Sequence, residues 1–165
     1  MAQRARLNGL RARHAAQVAD FESWAAAGDW AHFHREHYDW WAFPIDRPSS
    51  QGTRWVVDED QALELRRDPA FWTQYVRGLK LVAASFGWDL GAAAPLAHPQ
   101  PGQSWHGWPV RLHKMARSAR LFGAEREFAS LRDLALHLYP DGRPMAYGGH
   151  DLRWIFTGDP DPYPS

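Results

Sequence analysis

The sequence predicts an all-α fold, a single-domain irregular bundle of six or seven helices, and three observations support this prediction. Apolar residues recur every three to four positions along most of the chain, which is typical of amphipathic helices. No segment shows sustained alternation of apolar and polar residues, so strands are expected to be few or absent. The 165 residues, 45% of them hydrophobic, suit one domain with a buried core.

Two helices are expected before residue 50. The first covers residues 4–27 and can end at Gly28, because glycine readily adopts the conformation that follows a helix. The second starts at Asp29, whose carboxylate can accept the free amides of a first helical turn, and it continues to Trp41. Prolines and a glycine between residues 44 and 52 then indicate a loop.

The central part of the chain predicts two more helices, each with a start signal. Asp58 and Gln61 have the spacing of a capping box, in which two side chains bind each other's backbone amides. Asp68 and Pro69 start the next helix, because Asp accepts free amides and proline suits the first helical position. Gly87 can end this helix, and four prolines and three glycines indicate a long loop over residues 91–109.

Two further apolar stripes predict helices that end at Gly123 and before Pro140, and residues 152–156 predict a last short helix. We divide the chain into a basic N-terminal helix extension (1–20), a helical domain (21–139) and a C-terminal short helix with a Pro-rich tail that is expected to fray (140–165). The predicted core includes Trp41, Phe43, Leu79, Phe86, Leu112, Met115, Phe122 and Leu131.

Composition narrows the function classes. Without cysteine the chain has no disulfide, thiolate nucleophile or cysteine metal site, and its formal net charge of zero gives no general reason to expect a nucleic acid partner. Its apolar runs are too short to span a membrane, and the N-terminus lacks the apolar region of a secretory signal, so a cytoplasmic location is expected. No nucleophile elbow, phosphate-binding loop or dinucleotide fingerprint occurs, so we expect no cofactor and favour a binding protein over an enzyme.

Three histidines, His32, His34 and His37, lie close together in the predicted second helix. His34 and His37 are neighbours at i,i+3 and could share a metal, whereas His32 and His34 point to different faces. Further ligands would have to come from elsewhere in the fold. We therefore favour packed, hydrogen-bonded histidines and predict no stoichiometric metal, and we keep a small His-based metal enzyme as an alternative.

A basic helix follows the long loop. Residues 104–123 carry four cations and no acid, namely Arg111, Lys114, Arg117 and Arg120. The apolar face of this helix is expected to pack inward and leave the cations to solvent and to a partner, beside Trp105 and Trp108. Arginine with aromatic residues suits a carboxylate, a phosphate or a single-stranded nucleic acid, whereas a merely solvated helix face is the plainer interpretation.

Four like charges on one helix repel one another, so something is expected to offset them. The acids Asp39, Asp46 and residues 58–60 are the intramolecular candidates, and an anionic ligand is the other. Ten tryptophans are spread along the chain, and an aromatic cluster at residues 38–43 includes Tyr38, Trp40 and Trp41. Such a cluster is typical of binding hot spots and, more often within a helical pattern, of a core.

Two segments resemble the conserved domain of the opioid growth factor receptor family. Residues 38–44, Tyr-Asp-Trp-Trp-Ala-Phe-Pro, resemble that family's Tyr-x-x-Trp-x-Phe-Pro motif. Residues 111–123, Arg-Leu-His-Lys-Met-Ala-Arg-Ser-Ala-Arg-Leu-Phe-Gly, resemble its basic helix, and Trp105 stands where the family often has a tryptophan. The resemblance covers about residues 21–139 and suggests a short bacterial-type member.

This resemblance implies a non-enzymatic helical module that binds a peptide or protein, because animal members of the family bind an opioid pentapeptide. The expected ligand-binding residues are Tyr38, Trp41, Trp105, Trp108, Arg111, Lys114 and Arg117. A binder of nucleic acid or another anion that uses residues 111–120 is the second alternative to this hypothesis, beside the metal enzyme.

Overall fold

In the computed structural model, which describes residues 1–163, the chain forms eight helices and two short hairpins. The helices are, in order, α1 (Ala2–Ala26), α2 (Trp30–Arg35), α3 (Asp39–Ala42), α4 (Glu59–Arg66), α5 (Pro69–Ser85), α6 (Pro109–Leu121), α7 (Glu125–Leu138) and α8 (Trp154–Thr157). Strands β1 (Trp88–Asp89) and β2 (Ala94–Pro95) pair antiparallel, as do β3 (Ala146–Tyr147) and β4 (His150–Asp151). The prediction of a mostly helical fold is confirmed.

The structure has eight helices where six or seven were predicted, because the expected second helix is divided into α2 and α3. The backbone of Glu36 is extended (φ −84°, ψ 151°), and α3 starts only at Asp39. The hydroxyl of Tyr38 donates to the carbonyl oxygen of Phe33 across 2.8 Å and so ties the two sides of this break together. The break turns the aromatic cluster of residues 38–43 into a corner between α2 and α3.

The local start signals work as the sequence predicts. Asp29 accepts the amide of His32 at 3.2 Å, which satisfies one free donor of the first turn of α2. Asp58 and Gln61 form the capping box of α4, with distances of 2.8 and 3.3 Å. Asp68 accepts two amides at the start of α5, directly before Pro69. The two partners of each contact are close neighbours in sequence, so sequence spacing alone predicts the contact.

The core lies where α1 and α5 cross and where α6 and α7 pack onto them. Gly78 of α5 faces α1, and a Cβ there would lie 3.5 Å from Val18 Cγ2, which is an ordinary van der Waals contact. Further along, the rings of Phe71, Tyr75 and Phe122 stack with centroids 4.6 to 6.0 Å apart and join α5 to the end of α6. This packing fixes α6, and with α6 the basic side chains.

Seven of the eight predicted core residues are buried, and Trp41 is the exception. Trp41 is half-buried on the rim of the core, where its indole Nε1 donates to Gln17 across 2.9 Å. The guanidinium of Arg13 lies 4.2 Å from the centroid of its ring. A tryptophan with a polar edge can occupy such a rim because its N–H needs a partner.

Both chain ends are part of this packing. Residues 1–20, expected as an extension, continue without interruption into the rest of α1, and Leu7 belongs to the common core. The predicted tail contacts the rest of the chain up to Tyr163, because Arg47 and Arg117 both bind Asp161 and His150 packs edge-on against Tyr163, and its fraying stays a prediction. Residues 164–165 of the predicted tail lie outside the described residues. Across the described residues 1–163, no helix is both long and apolar enough to cross a bilayer.

Candidate ligand-binding cleft

The corner between α2 and α3 is held by a buried arginine from α6. The side chain of Arg111 is 1% exposed, and its Nε donates to Asp39 Oδ1 across 2.7 Å. Its Nη1 donates to the carbonyl oxygen of Phe33 (2.6 Å) and its Nη2 to that of Glu36 (2.8 Å). The guanidinium also lies 4.2 Å from the centroid of the Tyr38 ring. One side chain therefore connects the end of α2, the start of α3 and the start of α6.

The expectation that Arg111 faces solvent or a partner is wrong. Arg111 lies four residues before the fully buried Met115, so the two side chains share the inward face of α6. Burial is tolerated there because three nitrogens of the guanidinium have protein acceptors and one acceptor is a carboxylate. Arg111 positions the corner, and a ligand at the surface does not reach it.

Arg117, nearly two turns after Arg111 on α6, is also paired with acids of this chain. Its Nε donates to Asp46 Oδ1 across 2.7 Å, and its Nη1 lies 3.4 Å from Asp161 Oδ2. Of the acids proposed to offset the basic helix, Asp39 and Asp46 are thus confirmed, whereas residues 58–60 are absent from the ion pairs of this helix in the described chain. Two of the four cations of α6, Arg111 and Arg117, are thus neutralised by acids of the described chain.

A cleft of about 540 Å³ opens beside this corner. Trp40 and Trp108 form two of its walls, Tyr147 of β3 forms another, and Lys114 of α6 contributes the cation. The remaining lining residues are His37 before α3, Asp39 of α3, Val110 of α6, and Ile45, Pro48, Ser49 and Ser50 of the loop after α3. An adjoining pocket of about 250 Å³ shares Lys114 and Tyr147 with the cleft.

Lys114 is a cation of this cleft that has no counter-ion among the described residues 1–163. Its side chain is half-buried, and its Nζ lies 4.9 Å from the centroid of the Trp40 ring. Within residues 1–163, no carboxylate lies within 4.0 Å of Nζ, because the nearby Asp39 binds Arg111 instead. Burial lowers the pKa of Lys114 below its usual value, and the charge of Asp39 only partly opposes this effect.

Trp108 is held in an uncommon backbone conformation at the start of α6. Its φ of 56° and ψ of 53° are left-handed, which costs a residue with a side chain about 1–2 kcal/mol. Its indole Nε1 donates to the carbonyl oxygen of His34 across 3.0 Å, and Pro109 directly follows it as the first residue of α6. The hydrogen bond fixes the indole as a wall of the cleft.

The structure brings only some of the predicted ligand-binding residues to this cleft. Trp108 and Lys114 line it, and Arg117 lines the adjoining pocket. Trp40 and Tyr147 line the cleft but were missed as site residues. Trp40 belonged to a cluster that we took to favour a core, and Tyr147 precedes the turn glycines 148–149 as an exposed aromatic residue, which was the available signal.

The other predicted site residues lie elsewhere. Tyr38 is buried under the corner beside Arg111, and Trp41 faces α1. Trp105 is 37% exposed and stacks on His34 with ring centroids 4.5 Å apart, outside the lining of the cleft. These residues support or flank the cleft, and none of them contributes to its inner surface.

His34 and His37 do not form a shared metal site. The Nε2 of His34 lies 3.1 and 3.2 Å from the carbonyl oxygens of Ser85 and Gly102, which can only accept, so this nitrogen carries the proton. Burial lowers the pKa of His34 to about 4, so the ring is neutral at pH 7. His37, expected to be packed, is instead exposed at the cleft. Across residues 1–163, no three His, Asp or Glu side chains converge as metal ligands.

Comparison of the chain with protein-family models, with curated proteins and with solved structures finds no match. We therefore infer function from the geometry of the cleft.

Proposed function

We propose that this chain is a non-enzymatic module that binds a peptide or protein segment in the cleft between α3, α6 and the β3–β4 hairpin. The observation that supports it is the placement of three aromatic side chains, Trp40, Trp108 and Tyr147, around the ammonium of Lys114, which has no ion pair within the part of the chain that the structure describes. Trp and Tyr are the residues that most often dominate binding energies at interfaces. A few polar groups among apolar walls then orient the ligand.

The size and shape of the cleft favour a short segment over a folded partner. A volume of about 540 Å³ lies within the range of small-ligand sites, and such a volume accepts a few side chains. The walls are fixed before any ligand arrives, because Trp108 is hydrogen-bonded and the corner that carries Trp40 is held by Arg111. A preformed site loses less conformational entropy on binding. The resemblance to the opioid growth factor receptor domain also supports a peptide ligand.

The alternatives have less support. A nucleic-acid site on α6 would need several free cations along the phosphate backbone, whereas Arg111 and Arg117 are paired with Asp39 and Asp46. A His-based metal enzyme would need ligands around His34, whose Nε2 already binds two carbonyl oxygens.

A selection from a random peptide library tests the proposal. Peptides selected on the purified chain would be measured by fluorescence polarisation against Trp40→Leu, Trp108→Leu and, as a control, Trp72→Leu. Trp72 is a half-buried tryptophan of α5 that lies outside the cleft. We expect the two cleft variants to bind at least about tenfold more weakly and the control to bind like the unaltered chain.

Melting temperatures of all three variants accompany the titrations, so that a loss of folding is not counted as a loss of binding. The proposal fails if no peptide is selected, or if folded Trp40→Leu binds the selected peptides as tightly as the unaltered chain.

A further inference from the structure

We propose that the cleft recognises a carboxylate on its ligand, and that Lys114 is the counter-ion of this carboxylate. The inference rests on the proposed function in taking this cleft as the ligand site. It adds the chemical class of the ligand, an apolar or aromatic group that carries a carboxylate within reach of Nζ.

The arginines that neighbour the cleft are already paired with acids of this chain. Arg111 binds Asp39, and Arg117 and Arg47 share Asp161. Among the described residues 1–163, no carboxylate lies within ion-pair distance of the Lys114 ammonium. Lys114 is therefore the cation of the cleft whose charge is left for an incoming group.

The nearest acid cannot serve Lys114. Asp39 lines the same cleft, but its Oδ1 lies 2.7 Å from Nε of Arg111 and its Oδ2 lies 3.5 Å from Nη2. A move toward Lys114 would break a buried ion pair, which costs more than an exposed pair returns. Lys114 instead rests against the face of Trp40 in a cation–π contact, with Nζ 4.9 Å from the ring centroid.

The cation of the cleft is a lysine, although most basic residues of this chain are arginines. Lys80 and Lys114 are the only lysines among 19 lysine and arginine residues of this chain. Lys80 lies on the exposed side of α5, whereas Lys114 lies in the cleft. Lysine presents a compact point charge with three donors that can rotate, and it binds one anionic oxygen without the planar geometry that arginine requires.

The charge of the cleft favours a monoanion. One free ammonium beside the carboxylate of Asp39 can balance a single negative charge, whereas a phosphate dianion would bring a second charge close to Asp39. A carboxylate fits this balance. The aromatic walls then select what is attached to it.

Proton uptake gives the inference a signature that apolar contact alone lacks. The charged and titratable groups around Lys114 are Asp39, Arg111, Arg117, His37 and Tyr147. The adjoining pockets add Arg47, His113, His150, Asp161 and Tyr163. Burial lowers the pKa of free Lys114, and a bound carboxylate raises it again. Affinity for a carboxylate is therefore expected to fall as the pH rises through the pKa of free Lys114. Because this pKa is lowered, the decrease should occur at a lower pH than for an ordinary lysine.

Reductive ¹³C-methylation labels the amines of Lys80, Lys114 and the N-terminus, so each gives one NMR signal whose pH titration reports its pKa. The probes are 3-phenylpropionate and its uncharged match, 3-phenylpropionamide. We expect 3-phenylpropionate to shift the Lys114 signal and raise its pKa while the other two signals stay unchanged, and the amide to leave all three unchanged. The intrinsic fluorescence of the unlabelled chain measures its affinity for 3-phenylpropionate. We expect Lys114→Met to bind this probe at least about tenfold more weakly and Lys80→Met to bind it like the unaltered chain.

Peptide arms separate the two sources of a carboxylate. N-acetyl-alanyl-phenylalanine with a free C-terminus is compared with its amide and with N-acetyl-glutamyl-phenylalanine amide. Preference for the free C-terminus assigns a chain end, and preference for the glutamyl peptide assigns an acidic side chain. Either preference supports the inference.

The inference is overturned if the uncharged amide binds as tightly as 3-phenylpropionate, if Lys114→Met binds 3-phenylpropionate unchanged, or if inorganic phosphate displaces it from Lys114 at a lower concentration than acetate does. Neutral amidated peptides that bind the cleft and depend on Trp40 would keep the proposed function while removing this inference. Binding of 3-phenylpropionate at Lys114 without binding of any peptide would keep the carboxylate site and remove the peptide-binding function.

Discussion

Arg111 and Asp39, 72 residues apart in sequence, meet in a buried ion pair with Nε and Oδ1 2.7 Å apart. The last carbonyl groups of a helix have no intrahelical donor, and at the end of α2 the same guanidinium supplies donors to Phe33 and Glu36. The pair thus ends one helix and anchors the next. The stability of the corner therefore depends strongly on this one pair of side chains.

Removal of this guanidinium is expected to destabilise the chain strongly. Arg111→Met leaves the carboxylate of Asp39 and the carbonyl oxygen of Glu36 without donors, while the carbonyl oxygen of Phe33 keeps the hydroxyl of Tyr38. Loss of one partner of a buried pair costs about 3–5 kcal/mol. Arg120→Ala is the matched control, because Arg120 is exposed on the same helix and should change stability by less than about 0.5 kcal/mol. Urea denaturation at pH 7 measures both. Equal, small effects of the two substitutions would contradict the structural role of Arg111.

Acid is expected to weaken the fold through His14. This side chain is 1% exposed and packs 4.8 Å from the ring of Phe71. Burial lowers its pKa to about 4, whereas an unfolded chain takes up the proton near pH 6.5. Its contribution is therefore complete above pH 6.5 and is lost as the pH falls from 6.5 to 4, by about 3 kcal/mol in all.

His14→Phe isolates this effect, because it removes the titrating group and keeps a ring at the site. Denaturant midpoints at pH 7 and pH 4.5 would be measured for both proteins. We expect the unaltered chain to lose more stability than the variant over this interval, since the buried His34 and His113 are present in both. The same loss in both proteins would show that His14 is protonated in the native state.

Two glycines are expected to respond in opposite directions to alanine. Gly87 has a φ of +78°, and a Cβ there would lie 2.6 Å from the carbonyl oxygen of Gln103, so Gly87→Ala should cost more than about 1 kcal/mol. Gly9 lies on the exposed side of α1, and no other group lies within 4 Å of the place that a Cβ would take, so Gly9→Ala should add about 0.5–1 kcal/mol. Thermal unfolding checks both signs, and a stabilised Gly87→Ala would refute the close contact.

The hydroxyls of Tyr75 and Ser118 are expected to be energetically coupled. Tyr75 donates to Ser118 Oγ across 2.8 Å, and both residues are fully buried between α5 and α6. Tyr75→Phe leaves a buried serine hydroxyl unpaired and should cost about 1–2 kcal/mol. The double variant Tyr75→Phe/Ser118→Ala should cost less than the sum of the single substitutions, because no partner is then left unpaired. A double-mutant cycle in urea measures the coupling, and strict additivity would exclude it.

Contacts between near neighbours in sequence were predictable, and contacts between distant segments were not. The capping pair Asp58 and Gln61 follows from spacing alone, and so does the start of α5 at Asp68. The break between α2 and α3 was missed because two of its donors come from the distant Arg111, which no local pattern near residue 36 reveals.

The candidate site shows the same division. Lys114 and Trp108 were expected beside each other because both lie at the start of one helix. Arg111 was misplaced because its regular spacing from Lys114 and Arg117 suggested one charged side, although its distance from Met115 indicated the inward face. Tyr147 reaches the cleft only through the tertiary fold, since β3 packs on α6.

The cleft takes its walls from three stretches of chain that leave the ribosome at different times. Trp40 emerges first and Lys114 follows, whereas Tyr147 of the β3–β4 hairpin emerges only after α7 has been synthesised. Helices α1 and α5 can dock on each other well before that moment. A nascent chain therefore acquires much of its core before it acquires a complete cleft. A ligand that needs all three walls acts on the finished polypeptide, where it favours the native state by mass action and takes no part in the earliest folding steps.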